Sequence, residues 1–400
     1  MYKSGLIRLL FNFESKNSLA IHYYNIGKLI SVVPQVKDQL FVELINYNSN
    51  NNNFNNSSTT KSADDNIENF LVQGSKYEHI NSLFQSTVAR DLNSVVPKNE
   101  FQDEKSPSTI VNNHFDTLKY FENVFFNYYQ MLYNKNPKLD VTIIPVNLIN
   151  EKVPHDKQDH LKRTTPHKID ALFVDHNEYT FSDITSINET RSLEKQPLVD
   201  SVVVLEDKSF AYPSSIYSSY LEQKRNGTFS QMKKWTPPFK GVVLGGTFDR
   251  MHPGHKVMLT MATLLCSNYM EVGVTDNSIL KSKKFNEMIA PYQERSDKTF
   301  TFIKSINPFV EYNMLQLFEP YANTMTSPKL ECIVISPETF GTAIKINEKR
   351  RENPNLKPLE IYSISYFDSH HQGSDFKLSS SYLRELDYNE MMEKKKNNQN

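Results

Sequence analysis

With 400 residues the chain is long enough for two domains, each with its own core, while a mean hydropathy of −0.55 leaves room for segments that do not pack. The 45 Lys and Arg residues against 46 Asp and Glu give a net charge of −1, which removes the electrostatic reason to expect nucleic acid as a partner. Two cysteines, Cys266 and Cys332, both in apolar runs, exclude a disulfide scaffold or a cysteine-rich zinc site and suit a reducing compartment.

Residues 1–13 place Lys3 and Arg8 among apolar residues, as transit peptides do, but Glu14 follows and there is no amphipathic Arg/Ser pattern. There is also no run of about 20 apolar residues to span a bilayer. A cytoplasmic protein without membrane contact is expected, with mitochondrial association as the lesser alternative. The apolar stretch at 6–11 reads as a helix and that at 40–45 as a strand. Residues 48–60 are almost all Asn, Ser and Thr, too polar to offset the entropy of ordering, so 48–66 is expected to be a disordered insertion.

Within 115–133, Leu118, Phe121, Phe125, Tyr129 and Leu132 recur three or four apart and predict an amphipathic helix. Strand-like runs follow at 141–148, 171–175 and 201–205, so residues 1–208 are expected to form a small α/β domain. No catalytic constellation stands out in it. His155, His160 and His167 lie near Asp156 and Asp159, but in a lysine-rich polar segment that reads as a solvated loop. Residues 209–238 are polar, end in Pro237-Pro238, and read as a linker.

From 239 the pattern alternates. Strands are expected at 239–244, 269–275, 309–317, 330–336 and 359–367, and helices at 255–268, 291–306, 338–351 and 380–388, with a frayed tail from 391. Met258, Ala262, Leu265 and Cys266 form the inward face of the first of these helices, and Pro291 suits the start of the second. Alternating β and α units imply a parallel sheet with helices on both faces, in a domain spanning 239–390.

The chemistry concentrates at the first strand-to-helix turn. Gly245, Gly246 and Gly254, three of the 11 glycines in the chain, lie close together there. His252 and His255 stand three apart, just where a helix begins. Glycines admit a close backbone approach, and a helix start after a strand offers free N–H groups and a favourable dipole to an anion. Two histidines with a glycine between them at that point favour phosphate contact over a simple cap.

The string Gly245-Gly246-Thr247-Phe248-Asp249-Arg250, continued by His252, Gly254, His255 and Lys256, resembles the H-x-G-H signature of the nucleotidylyltransferase superfamily, and in particular the eukaryotic-type phosphopantetheine adenylyltransferases. Leu280-Lys281-Ser282-Lys283 with Pro291-Tyr292 and Glu294-Arg295 resembles that family's lysine loop and following helix. Ser336, Glu338 and Thr339 with Ile346, Asn347 and Arg350 resemble its nucleotide-side helix, and Ser379-Ser380-Ser381 its serine-rich phosphate loop. The resemblance covers about residues 239–388.

It implies a Rossmann-like nucleotidylyltransferase domain that uses ATP and 4′-phosphopantetheine and releases dephospho-coenzyme A and pyrophosphate. His255, Thr247 and one of Lys281 and Lys283 would then be catalytic. Gly245, Gly246, Phe248, His252, Gly254, Arg350, Ser379, Ser380 and Ser381 would hold the nucleotide. Mg²⁺ would travel with ATP, with no metal cage in the protein. Gly341 departs by one place from the family's pattern, and residues 370–374 read as a polar mobile loop. No G-x-x-x-x-G-K-[ST] P-loop for the next kinase step occurs in the chain, so synthesis is expected to stop at dephospho-coenzyme A. Another nucleotidyl acceptor, such as nicotinamide mononucleotide or a cytidylyl substrate, and a non-catalytic scaffold that contacts other coenzyme A enzymes remain as alternatives.

Overall fold

The computed structural model describes residues 1–11, 19–46, 109–146, 168–175, 181–193, 195–206, 208–212, 216–218, 220, 222 and 235–397, except 320, 366–367 and 372–373. The Asn-rich tract and the His155–His167 cluster lie outside these residues. Two units divide the chain, Met1–Trp235 and Thr236–Asn400.

The first unit is built on β1 (Tyr2–Phe11), α1 (Leu19–Val32), β2 (Val36–Asn46), α2 (Thr109–Lys135), β3 (Asp140–Val146), β4 (Ile169–Val174), α3 (Phe181–Leu193) and β5 (Val199–Val204). The strands form one sheet in the order β3-β2-β1-β4-β5, and every pairing is parallel. Residues 6–11, expected as a helix, are instead the central strand. All six are buried, as both faces of a parallel sheet are covered, and this removes the alternation that marks a half-exposed strand. Helix α2 follows its periodicity: Leu118, Phe121, Phe125, Tyr129 and Leu132 are all buried. The presumed linker begins later than expected, because Phe210, Tyr212, Tyr220 and Trp235 are buried, with Trp235 edge-on to Phe121 at 5.6 Å.

The first turns of α1 hold a closed polar cluster. His22 Nδ1 meets the Tyr128 hydroxyl at 2.7 Å and Nε2 the Tyr120 hydroxyl at 3.0 Å. Asn25 donates to Leu10 O at 2.8 Å and Tyr212 accepts from Leu10 N at 2.9 Å. Burial pushes the His22 pKa down to about 4. With both ring nitrogens engaged, this histidine fastens α1 to α2.

The second unit runs β6 (Phe239–Gly246), α4 (Pro253–Leu265), β7 (Cys266–Thr275), α5 (Tyr292–Ile306), β8 (Glu311–Leu317), β9 (Cys332–Ile335), α6 (Phe340–Arg351), β10 (Glu360–Ser363), the strands β11 (Asp368–His371) and β12 (Ser374–Lys377), and α7 (Ser380–Asn397). Its main sheet is again all parallel, in the order β10-β9-β6-β7-β8. Counted from the first strand of each unit, this is the order found in the first unit. Right-handed crossovers send α4 and α5 to one face and α6 to the other. On the α6 face Val243, Ile333 and Ile335 pack with Ala343 and Ile346. Their neighbours in sequence, Val242, Leu244 and Val334, turn the other way, with Met270 and Val272 beside the first two on β7, and are equally buried.

Two features of this unit were not expected. Residues 368–371 and 374–377 pair as antiparallel strands, and α7 continues through the expected tail to Asn397, with exposed i,i+4 pairing of Lys394 to Glu390 along it. Both cysteines are buried and unpaired. No helix among the described residues is long and apolar enough to cross a membrane.

Candidate active site

In a sheet of this order, connections leave the first strand to one side and the fourth to the other, and the crevice opens at the carboxyl ends between them. Here those strands are β6 and β9. Residues 247–252 carry the chain from β6 into α4 through a bent turn, with Phe248 (φ 50) and Arg250 (φ 48) in the left-handed region that side chains other than glycine avoid. Tight packing fixes the turn. The Phe248 ring is 2% exposed and lies 5.4 Å from the His255 ring. Gly246 makes room for it, since a Cβ there would come within 3.1 Å of that ring.

His252 is the N-cap of α4 and caps no N–H with its side chain, and Pro253 follows in the first turn. The N–H groups of Gly254 and His255 therefore open toward the crevice rather than onto a capping oxygen. The two imidazoles stack, with ring centroids 3.9 Å apart. Burial lowers the His255 pKa to about 4, with Lys283 adding to the fall against the opposing pull of Asp249 and the backbone of Arg250. His255 is thus a neutral N–H donor at ordinary pH.

The lysine loop crosses this turn. Lys283 Nζ donates to Thr247 Oγ1 at 2.9 Å. Lys283 is exposed as a residue, and desolvation first, then Arg384 and Arg295, lowers its pKa against the attraction of Asp249. The Lys281 side chain is exposed, and its carbonyl accepts from Asn286 Nδ2. Of the two lysines left open by the sequence, Lys283 is the one brought onto Thr247.

The serine-rich start of α7 joins the same loops. Ser379 Oγ accepts from Tyr382 N at 3.3 Å, Ser380 donates to Asp249 O at 2.7 Å, and Ser381 Oγ accepts from Arg384 Nη2 at 2.9 Å. Ser380 is therefore tied to the glycine turn rather than free for a ligand, whereas the Ser379 and Ser381 hydroxyls keep their protons to donate.

Three charged residues that sequence reasoning did not assign hold the site together. Arg295, 1% exposed, reaches the carbonyls of Ala290, Thr247 and Thr275 and the side chain of Asn277 at 2.6–2.9 Å. Asp249 and Arg384, each 1% exposed, pair at 2.9 Å. Arg295 stood inside a quoted motif. Arg384 follows the serines by one helical turn, a spacing that marks it only once Asp249 is known to face it.

Arg350 does not belong to the site. Helix α6 leaves β9 at the carboxyl edge and descends about 1.5 Å per residue, so that Arg350, near its end, reaches the opposite edge of the sheet. There it is 1% exposed and donates to the carbonyls of Lys357, Thr324, Ser327 and Leu330 at 2.7–3.3 Å. Replacing it leaves buried carbonyls unsatisfied, which is costly. Arg350→Lys is expected to lower Tm by about 5 °C or more and to leave the KM for ATP within about twofold. An unchanged Tm with a KM raised about tenfold would return Arg350 to the phosphates.

The Cytidylyltransferase-like family profile matches residues 243–386. A phosphopantetheine adenylyltransferase of Saccharomyces cerevisiae is 34% identical over 149 residues, which are 37% of this chain and 48% of the relative. The chain thus matches about half the length of that curated relative. Phosphopantetheine adenylyltransferases of Pyrococcus furiosus and Pyrococcus horikoshii are 35% and 37% identical over 146 residues, 36% of this chain and 88% and 89% of theirs.

Proposed function

The chain belongs to the phosphopantetheine adenylyltransferase family, and from that premise we propose that it transfers the adenylyl group of ATP to 4′-phosphopantetheine. The products are dephospho-coenzyme A and pyrophosphate. The observation that carries this reading is the meeting of the Lys283–Thr247 contact with the stacked His252–His255 pair at an uncapped helix start.

The phosphate of the acceptor is already a nucleophile, so the reaction needs neither a covalent intermediate nor a strong base. An acceptor phosphate oxygen attacks the α-phosphorus in line, the bond from that phosphorus to the β-bridging oxygen breaks, and pyrophosphate carries the electron pair away. Catalysis then consists of positioning and of donors aimed at the charge that develops. Lys283 and Thr247 grip the attacking phosphate. His255 donates to the α-phosphate in the transition state, and His252 with the N–H groups of Gly254 and His255 contacts the triphosphate. Gly245 and Gly246 keep the approach open, and Ser379 and Ser381 donate to the leaving phosphates.

Mg²⁺ would enter with ATP and neutralise part of the triphosphate charge. Asp249 is not available to it, because its oxygens accept from Ala290 N, Arg384 and Arg250. The nucleotide phosphates are the oxygen ligands that suit the ion.

Purified chain with ATP and Mg²⁺ should release pyrophosphate when 4′-phosphopantetheine is added, and CTP should not replace ATP. Release only with nicotinamide mononucleotide or with CTP would reassign the substrates. No release with any pair would leave the fold as a scaffold.

A further inference from the structure

We propose that the buried Asp249–Arg384 pair is a positioning latch that fastens the lysine loop, residues 280–290, to the glycine turn and so sets Lys283 on Thr247. The proposal rests on the adenylyl-transfer reading for its kinetic consequences and on geometry for its physical content. Arg384 uses all three nitrogens inside the protein. Nε donates to Lys284 O at 3.0 Å, Nη1 to Asp249 Oδ2 at 2.9 Å and Nη2 to Ser381 Oγ at 2.9 Å.

Those three acceptors lie on three separate segments: the lysine loop, the glycine turn and the start of α7. Lys284 is the residue after Lys283, so the bond to its carbonyl fixes the backbone from which Lys283 reaches out. Asp249 closes the other side of the loop. Its Oδ1 accepts from Ala290 N at 3.4 Å, and Ser380 holds its carbonyl. The latch therefore grips the lysine loop near both ends and ties it to the serine-rich helix. Loop residues 281–284 are otherwise exposed. A planar fork spreads donors in fixed directions over three nitrogens and so spans three separated acceptors, a geometry that the single nitrogen of an ammonium does not reproduce. Buried and 1% exposed, Arg384 turns each of its three nitrogens to a protein acceptor rather than to a nucleotide.

The test compares Arg384→Gln and Arg384→Lys with the wild-type chain. In Arg384→Gln, Asp249 keeps Arg250 as a partner at 3.0 Å, so the carboxylate is not stranded. Both variants are expected to lose about 10²-fold in kcat, as for a misplaced catalytic group, with the KM for ATP within about threefold. The lysine variant should give no rescue. Arg384→Gln combined with Lys283→Ala should be no slower than Lys283→Ala alone within about twofold, since both remove the same contact. A KM for ATP raised about tenfold with kcat unchanged would make Arg384 a phosphate ligand and overturn the latch, as would multiplicative losses in the double variant.

Limited trypsin digestion read by mass spectrometry needs no turnover. The latch predicts faster cleavage after Lys281, Lys283 and Lys284 in Arg384→Gln, with the rest of the second unit as resistant as in the wild type. Cleavage accelerated equally throughout the unit, or unchanged in the loop, would overturn it. A wild-type chain that fails to turn over 4′-phosphopantetheine would sink the substrate assignment alone, while the digestion still decides the latch.

Discussion

His255→Ala is expected to lower turnover at saturating ATP by about 10²-fold or more, the loss that follows removal of one donor aimed at transition-state charge. The KM for ATP should move by no more than a few-fold, because His252 and the first N–H groups of α4 remain to bind the triphosphate. The ring packs against both Phe248 and His252, so the variant removes a positioned donor. His255→Gln, which restores an N–H near the same place, should recover part of the loss. Near-normal turnover in His255→Ala would sink the assigned role.

The same residue makes a statement about pH. Its pKa is lowered to about 4, chiefly by burial. In the free protein the imidazole is therefore neutral above that value and acts through its N–H, not as a cation. Turnover should show no ionisation near the ordinary histidine value that disappears in His255→Gln. An acid limb near pH 6.5 that this substitution abolishes would mean that the protonated ring is the active form. The linkage has a fixed sign. The folded pKa lies below the unfolded one, so the contribution of His255 to stability is present above the unfolded value and is lost as pH falls through the folded one. His22, lowered to about 4 by burial in the first unit, adds in the same direction.

The second unit could be read closely from its residues because its strands alternate with helices whose starts carry clear signals. Pro291 became the N-cap of α5 and Pro253 the first residue of α4. The first unit was harder at its centre. Residues 6–11 are apolar without alternation because β1 lies between β2 and β4 with both faces covered, and a buried helix segment of that length looks the same in sequence. The site divided in a similar way. The pair His252 and His255, on one short stretch, was legible from spacing, whereas Thr247 was singled out only by the resemblance. The Asp249–Arg384 pair spans 135 residues and exists only after folding. Arg350 was misplaced because the resemblance carried its identity but not its depth: a helix begun at the active edge ends at the other one.

Lys283→Ala should cost about 10²-fold in kcat, whereas Lys281→Ala should stay within about threefold of the wild type. Sequence places both lysines on one loop and cannot separate them, since either could fold inward. The separation comes from what each touches. Lys283 Nζ lies 2.9 Å from Thr247 Oγ1, beside the glycine turn and the uncapped start of α4, while Lys281 anchors the loop through its carbonyl. Desolvation first, and then the nearby Arg384 and Arg295, lower the Lys283 pKa from the ordinary lysine value. As pH rises through that lowered pKa the ammonium loses its charge and with it the grip on the phosphate. Activity should therefore decline on the alkaline side earlier than an ordinary lysine would allow. Lys283→Arg, which keeps its charge, should retain part of the turnover and move that decline to higher pH. If Lys281→Ala proved the more damaging variant, or if Lys283→Arg left the alkaline limb where it was, the attacking phosphate would have to be gripped by another group.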